Sequence, residues 1–232
     1  MALTLQRHAD PSEMAVAVSG ALAEACAQAR ESGRVPLLCL AGGGTPLPAY
    51  TALAERLGGL PAQVVPGDER CIPHDHPACN LKALRAAFAS APGVDCLPLS
   101  APDGDPTPSL HEARGLLASL PVFDATLLGM GADAHFASLF PHSPGLPDGL
   151  DMASTDDAIA LLPAALPAEA PFTRITLTLQ RLLRSRRTLI AIRGQAKLDV
   201  LQSAAAPGID PLACPVAALL RAAPTLHVHW SP

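Results

Sequence analysis

The twelve residues VPLLCLAGGGTP, numbered 35–46, decide the fold of this chain. Residues 35–41 form a short, continuously apolar run, which is typical of a strand that is buried on both faces of its sheet. Three glycines end the run, and Thr45 and Pro46 then open a helix that we expect to reach about Leu57, with Thr45 as its cap. A strand that passes through a glycine turn into a helix is the repeating unit of an α/β fold.

The same alternation of strands and helices continues along most of the sequence. We predict further strands at residues 63–65, 94–97, 123–129, 158–162, 174–177, 188–193 and 226–230, the last of them an edge strand. We predict further helices at residues 11–32, 81–89, 111–120, 195–203 and 216–221, with Asp10 as the cap of the first, and loops at residues 67–79, 101–108 and 141–149. The chain is therefore expected to form one α/β domain over residues 1–232, in which helices flank a mostly parallel twisted sheet in three layers.

The composition argues against several classes of protein. Apolar residues make up 49% of the 232 residues, which argues against disorder. Aromatic residues make up only 3%, so we predict a mostly aliphatic core. The formal net charge of −5 argues against general binding to nucleic acid or to a membrane surface, because both are anionic. The sequence shows no signal-peptide pattern and no run of 18 apolar residues, and its six cysteines form no CxxC pair. We therefore expect a cytoplasmic protein with free thiols.

Polar residues collect directly after the predicted strands, where a parallel sheet binds its ligands. After the strand at residues 35–41, Gly43 and Gly44 allow the backbone to approach a ligand closely, and Thr45 begins a helix whose free N–H groups favour an anion. The pattern is neither GxGxxG nor a Walker loop, which disfavours dinucleotides and nucleoside triphosphates. An ordinary glycine-rich turn without a ligand is the alternative interpretation.

A second cluster follows the strand at residues 63–65. Asp68 and Arg70 lead a polar loop that also carries His74 and His76. A lone HxH pair without a clear further ligand is weak support for a metal ion, so we predict no metal site. A solvated loop is the alternative for the whole segment.

A third cluster lies in LLGMGADAHFASLFP, residues 127–141, where Asp133 and His135 stand two residues apart behind a glycine break. A turn with a solvated histidine is one interpretation of this stretch. A general base at the mouth of an active site is the other, because a neutral imidazole is available near pH 7.

A fourth cluster is cationic. Arg174 leads a predicted strand, and Lys197 follows Gly194 in the first turn of a predicted helix. A cation at a helix N-terminus is unfavourable with the helix dipole unless an anion binds between it and the free N–H groups. A surface lysine is the alternative.

Together, the clusters resemble the 6-phosphogluconolactonase family. The family pattern consists, in order, of a GGxTP loop, a DERxVP segment that ends in SN, a LGMGxDGHxASLFP segment, an RxT segment and a late GxxK. The corresponding residues are 43–46, 68–73 with Asn80, 128–141, 174–176 and 194–197. The match therefore covers nearly the whole chain, in the same order.

The resemblance implies a Rossmann-like fold and hydrolysis of 6-phospho-D-glucono-1,5-lactone to 6-phospho-D-gluconate in the pentose phosphate pathway. It implies that His135 activates water and that Asp133 orients His135 or holds its loop. The implied substrate-binding residues are Gly43, Gly44, Thr45, Asp68, Arg70, Arg174 and Lys197. Neither a metal nor an organic cofactor is implied, and the expected partner is a small sugar phosphate. We expect a monomer or a small homo-oligomer.

Two alternatives stay open at this point: another sugar-phosphate isomerase or deaminase of the same fold, and a non-catalytic sugar-phosphate sensor. The deaminases carry FNEP after their histidine, whereas this chain has SLFP at residues 138–141, which favours the lactonase. No separate basic helix-turn-helix segment is present, which argues against the sensor. The chain also departs from the family at Ala132, Phe136 and Cys79, and Ala134 replaces the glycine of DGH. If that position takes a positive φ, Ala134 costs about 1 kcal/mol.

Overall fold

A computed structural model describes residues 2–163 and 172–232 of the chain. The strands within these residues are β1 (Ala2–Arg7), β2 (Leu37–Leu40), β3 (Ala62–Pro66), β4 (Asp68–Arg70), β5 (Val94–Cys96), β6 (Ala125–Leu128), β7 (Ala158–Leu161), β8 (Arg174–Leu177), β9 (Thr188–Arg193) and β10 (Thr225–Ser231). The helices are α1 (Pro11–Glu31), α2 (Leu47–Leu57), α3 (Asn80–Ala87), α4 (Pro106–Ser119), α5 (Leu146–Leu150), α6 (Leu179–Leu183), α7 (Gln195–Ala204) and α8 (Pro215–Ala222).

Seven strands form a sheet in the order β1-β10-β9-β6-β2-β3-β5, and every neighbouring pair is parallel. The strand β2 lies inside this sheet, and all of its residues are buried. Leu38 and Leu40 pack into the core beneath α1, α2 and α3, whereas Leu37 and Cys39 pack into the core beneath α4, α7 and α8. Burial on both faces explains the continuous apolar run, and the predicted three-layer α/β fold is confirmed.

The prediction that residues 226–230 form an edge strand is wrong. The strand β10 lies between β9 and β1, and β1 pairs with it from Ala2↔Thr225 to Arg7↔Trp230. The alternation in β10 arises because Leu226 and Val228 pack in the core, with polar residues between them. The strand β1 therefore forms this edge of the sheet. We predicted no strand there because the segment is short and half polar.

A second, antiparallel sheet has the order β4-β8-β7, and the sequence did not predict it as a separate sheet. Its strand Asp68–Arg70 falls in a segment that we predicted to be a loop, because three charged residues in succession do not resemble a strand. The helix α4 likewise begins at Pro106, and α5 occupies Leu146–Leu150, in segments predicted as loops. The small sheet carries the charged side chains of Asp68, Arg70 and Arg174 beside the main sheet.

The two predicted helix caps have opposite outcomes. Asp10 caps α1 as expected, since its carboxylate accepts hydrogen bonds of 2.8 Å from the backbone N–H groups of both Ser12 and Glu13. Thr45 does not cap α2: the turn continues through Pro46, which occupies the cap position without a side-chain hydrogen bond. Thr45 therefore lies one residue too early to bond the first turn of the helix.

No helix in the described residues is both long enough and apolar enough to cross a membrane.

Two histidines tie the end of β1 to β10. Nε2 of His8 lies 3.1 Å from Nδ1 of His229, and the two rings stack with their centroids 5.3 Å apart. His229 is only 3% exposed. Burial, with the nearby His8 and His227, lowers the pKa of His229 to about 4.

This pair predicts a loss of stability on mild acidification. The unfolded chain protonates His229 near its ordinary pKa of about 6.5, whereas the folded chain resists protonation until about pH 4. The unfolded state therefore binds more protons between pH 6.5 and 4. His229 contributes about 3 kcal/mol to the free energy of unfolding above pH 6.5, and this contribution is lost as the pH falls to 4. Urea unfolding at a series of pH values measures this change in the free energy of unfolding. The His229→Gln variant should show a shallower loss between pH 6.5 and 4, while the exposed control His111→Gln should follow the parent chain. Equal slopes in both variants would refute the assignment.

Candidate active site

A cleft of about 380 Å³ opens at the carboxyl ends of β9, β6 and β2, which are neighbours in the main sheet, and β4 and β8 of the small sheet form another wall. The residues that line it are Ala41, Gly42, Gly43, Gly44, Thr45, Pro46, Asp68, Arg70, Asn80, Gly129, Met130, Gly131, His135, Ala137, Phe140, Arg174, Ala191 and Lys197. Eight of the nine predicted site residues are in this lining. The ninth, Asp133, lies directly behind His135.

The central pair of the cleft is Asp133 and His135. Oδ1 of Asp133 lies 2.6 Å from Nδ1 of the imidazole and 3.3 Å from the backbone nitrogen of His135. Because a carboxylate can only accept, the neutral imidazole carries its proton on Nδ1, and Nε2 keeps a lone pair. Burial acts to raise the pKa of Asp133, but the hydrogen bonds from His135 and the charge of its imidazolium form outweigh it, so the pKa is lowered. Asp133 is therefore ionised at neutral pH.

Gly131 makes room for this pair. A Cβ atom at position 131 would lie 2.2 Å from Nδ1 of His135 and 2.3 Å from Oδ1 of Asp133. The tight turn is closed by two backbone hydrogen bonds, from Gly131 N–H to the His135 carbonyl (2.9 Å) and from Ala134 N–H to the Gly131 carbonyl (3.1 Å). No side chain fits at position 131 while the carboxylate holds the imidazole.

Ala134 has the positive φ that the sequence analysis considered as a possibility for this position. Its φ is +69°, in the left-handed region, which costs about 1 kcal/mol for alanine relative to glycine. Its methyl group is buried, which returns about 0.8 kcal/mol, and its carbonyl accepts a 3.0 Å hydrogen bond from Val216 N–H in the first turn of α8. The replacement of glycine thus leaves the loop conformation of Asp133 and His135 in place.

Phe140 separates the imidazole from a guanidinium. Its ring centroid lies 4.2 Å from that of His135, with the two rings tilted by 31°, and the guanidinium of Arg174 lies 5.7 Å from the Phe140 ring. The aromatic ring therefore packs against the imidazole and contacts a cation as well. Phe140 belongs to the family pattern described above, but the sequence gave no reason to assign it a role.

Two arginines face each other across the small sheet. Arg70 in β4 and Arg174 in β8 are directly paired in the antiparallel register, an arrangement that is unfavourable for like charges. Burial lowers the pKa of Arg174, and the charge of Arg70 lowers it further, while Asp68 opposes the shift. Within the described residues, the buried Nε of Arg70 has no hydrogen-bond partner. The wall of the cleft therefore favours an anion.

Glu69 holds this wall in position, a role that the sequence did not reveal. Its side chain is fully buried, and its carboxylate accepts backbone hydrogen bonds from Arg70 (2.8 Å), Asn80 (2.8 Å) and Leu81 (2.7 Å). Burial raises the pKa of Glu69, and the backbone donors oppose that rise. The carboxylate caps α3 from outside the helix and fixes the backbone of Arg70 to it.

Asn80 connects the small sheet to the glycine turn. The side-chain amide nitrogen of Asn80, Nδ2, donates a 2.7 Å hydrogen bond to the backbone carbonyl of Asp68. A Cβ atom at Gly42 would lie 2.1 Å from the amide oxygen of Asn80, so only glycine allows this contact. The Asp68 carboxylate in turn accepts a hydrogen bond from the Ser138 hydroxyl, which links β4 to the loop of His135.

The remaining glycines face open space. Gly43 has a φ of +85°, and a Cβ atom at Gly43 or Gly44 would meet no heavy atom within 4 Å. The base of the turn is anchored by Tyr50, whose hydroxyl donates a 2.8 Å hydrogen bond to the Ala41 carbonyl. The turn thus presents backbone to the cleft.

Lys197 enters the cleft from the first turn of α7. Burial lowers its pKa, and the charge of Asp133 partly opposes that shift. Lys197 and His135 line the same cleft. Within the described residues Lys197 has neither a hydrogen bond nor an ion pair, so its ammonium is available to a ligand.

His74 and His76 lie outside the cleft lining. Nε2 of His74 lies 2.9 Å from the Ser100 carbonyl, and Nδ1 of His76 accepts a hydrogen bond from Ala78 N–H. Among the described residues, no three His, Cys, Asp or Glu side chains form a group that could hold a metal ion.

Comparison with known proteins gives consistent results. Residues 9–230 match the sequence model of the glucosamine-6-phosphate isomerases/6-phosphogluconolactonase family. The chain is 35% identical over 230 residues to a 6-phosphogluconolactonase of Pseudomonas aeruginosa, covering 94% of this chain and 89% of that protein. The crystal structure of a 6-phosphogluconolactonase from Shewanella baltica has a TM-score of 0.90 at 26% identity, covering 99% and 98% of the two chains. A monomeric glucosamine-6-phosphate deaminase shares the fold, with a TM-score of 0.81 at 19% identity, covering 98% and 97%.

Proposed function

The chain belongs to the glucosamine-6-phosphate isomerase/6-phosphogluconolactonase family, and we propose that it hydrolyses 6-phospho-D-glucono-1,5-lactone to 6-phospho-D-gluconate in the pentose phosphate pathway. One observation carries the proposal: an ionised carboxylate holds Nδ1 of His135, in a cleft that also contains two arginines and a lysine. The pair can accept a proton, and the cations can bind a phosphorylated substrate.

The proposed reaction begins when Nε2 of His135 removes a proton from water. The hydroxide oxygen bonds to the lactone carbonyl carbon, and the carbonyl electron pair moves to oxygen to give a tetrahedral oxyanion. When the carbonyl re-forms, the bond to the ring oxygen breaks, and the imidazolium returns its proton to that oxygen. A positioned base of this kind contributes roughly 10²–10⁴-fold in rate. The Asp133 carboxylate stabilises the imidazolium and fixes its orientation.

The oxyanion requires hydrogen-bond donors, and we assign them to the glycine turn. Gly43 and Gly44 present backbone to the cleft with no neighbouring atoms to obstruct an approaching ligand. Backbone N–H groups that are already oriented stabilise such a charge without reorganising during the reaction. The mechanism needs neither a nucleophilic side chain nor a cofactor.

The phosphate is assigned to Arg70, Arg174 and Lys197. The two arginines repel one another, and an anion between them would relieve that repulsion. Thr45 and the nearby N-terminus of α2 add polar donors, while the charge of Asp68 supports Arg174 in the same wall. Phosphate binding then sets the lactone carbonyl near His135.

The wider setting of the enzyme follows from composition. We propose that residues 1–232 act as one domain, as a monomer or a small homo-oligomer, and without nucleic acid, consistent with the net charge of −5. Six unpaired cysteines support a cytoplasmic location, where thiols stay reduced.

Replacement of the proposed base should lower kcat with little change in KM. In the His135→Asn variant, the phosphate contacts persist but no group can take the proton from water, so kcat should fall by roughly 10²–10⁴-fold. The assay follows hydrolysis of the phosphorylated lactone above its spontaneous rate. The control is His142→Asn, an exposed histidine outside the cleft lining that should retain the parent kcat. Wild-type kcat in His135→Asn would rule out this base.

Replacement of the cleft lysine should act on substrate affinity instead. The Lys197→Met variant keeps the length of the side chain but removes the charge, so KM should rise by roughly 10- to 100-fold while kcat stays within about 3-fold. The matched control is Lys82→Met, because Lys82 is the chain's other lysine and lies on the exposed side of α3. A collapse of kcat at unchanged KM would contradict the phosphate role.

A further inference from the structure

The end of β10 holds both backbone polar groups of Gly194, its N–H and its carbonyl. Gly194 joins β9 to α7 with φ +85° and ψ 151°, and α7 has no side-chain cap. The Gly194 N–H donates a 2.9 Å hydrogen bond to the Ser231 carbonyl, and the Gly194 carbonyl accepts a 3.0 Å hydrogen bond from the indole Nε1–H of Trp230. The start of α7 is therefore fixed to the last strand of the chain.

The indole competes with the helix for the Gly194 carbonyl. That carbonyl would normally accept the first helical hydrogen bond, but the distance to Leu198 N–H is 3.4 Å, longer than the 3.0 Å to the indole nitrogen. The first turn is thus held slightly open by the shorter bond. Lys197 directly precedes Leu198 in this turn, so the direction of its side chain depends on how the Gly194 carbonyl points.

The Trp230 ring is itself fixed in place. The guanidinium of Arg7 lies 5.2 Å from its centroid, and Arg7 pairs with Trp230 in the β1–β10 register. The ring also packs against the core that contains α7 and α8. A rigid aromatic side chain with one donor is well suited to orient a neighbouring carbonyl.

We propose that Trp230 is a positioning residue for Lys197: its indole N–H sets the first turn of α7 so that the ammonium points into the cleft and binds the ligand's phosphate. This inference rests on the proposed function, in which Lys197 contacts that phosphate. Trp230 is not among the residues that line the cleft, so its indole would act on a ligand through α7.

Removal of the indole donor should weaken phosphate binding without affecting the chemical step. The Trp230→Phe variant loses the hydrogen bond, so KM for the lactone and Kd for inorganic phosphate should each rise by roughly 3- to 10-fold, with kcat within about 2-fold. Because the chain has a single tryptophan, growth with benzothienylalanine places an isosteric ring without the N–H at position 230 alone. This substitution keeps the packing and should reproduce the effect of Trp230→Phe.

A double-mutant cycle separates positioning from general loosening of the structure. Calorimetry with inorganic phosphate compares Trp230→Phe in the parent chain and in the Lys197→Met background. The effect on Kd should fall below about 2-fold when Lys197 is absent. The control Thr4→Ala, at an exposed position of β1, leaves both the indole and Arg7 in place and should keep the parent Kd. Equal effects of Trp230→Phe in both backgrounds, or no effect of benzothienylalanine, would overturn the proposal.

The two readouts also separate this inference from the proposed function. If the protein bound phosphate with the expected coupling but did not hydrolyse the lactone, the positioning role would stand and the reaction would be wrong. If it hydrolysed the lactone while the two substitutions were additive, the reaction would stand and the positioning role would be wrong. Failure of phosphate to bind the parent chain would overturn the positioning role.

Discussion

The 2.6 Å contact between Asp133 and His135 is the interaction on which the rest of the site depends. It fixes the tautomer of the imidazole, and so decides which ring nitrogen can accept a proton from a ligand or from water. The contact exists because position 131 has no side chain, because Ala134 takes a left-handed backbone conformation and because α8 donates a hydrogen bond to the Ala134 carbonyl. The loop stays in this conformation through its packing and hydrogen bonds, although one of its residues is strained.

The cations opposite this pair are held in place by the second sheet. Antiparallel pairing of β4 with β8 brings Arg70 and Arg174 side by side, an arrangement that is unfavourable for like charges. Glu69, fully buried beneath them, gives the wall its rigidity because its carboxylate is satisfied by three backbone N–H groups. In the proposed function, the cleft thus brings together a proton acceptor that follows a strand of the main sheet and a phosphate-binding wall from the small sheet.

Hydrophobic periodicity and sequence motifs were sufficient to predict the fold class and most of the candidate site residues. The apolar run of β2 and the helix start at Asp10 indicated the α/β fold, and the polar residues after the strands included eight residues of the cleft lining. It could not find β4, because its charged residues resemble a loop until β8, about a hundred residues later, pairs with them. The roles of Glu69 and Trp230 are likewise invisible in sequence, since each depends on a hydrogen bond to a backbone group that only the fold brings near.

In the proposed function, the neutral imidazole of His135 carries its proton on Nδ1 and leaves Nε2 free as the base. Nitrogen NMR of uniformly labelled protein measures this directly, with the resonances of His135 assigned by their loss in His135→Asn. At a pH where the ring is neutral, the account predicts a protonated Nδ1 and an unprotonated Nε2. A proton on Nε2, with Nδ1 bare beside the carboxylate, would contradict it.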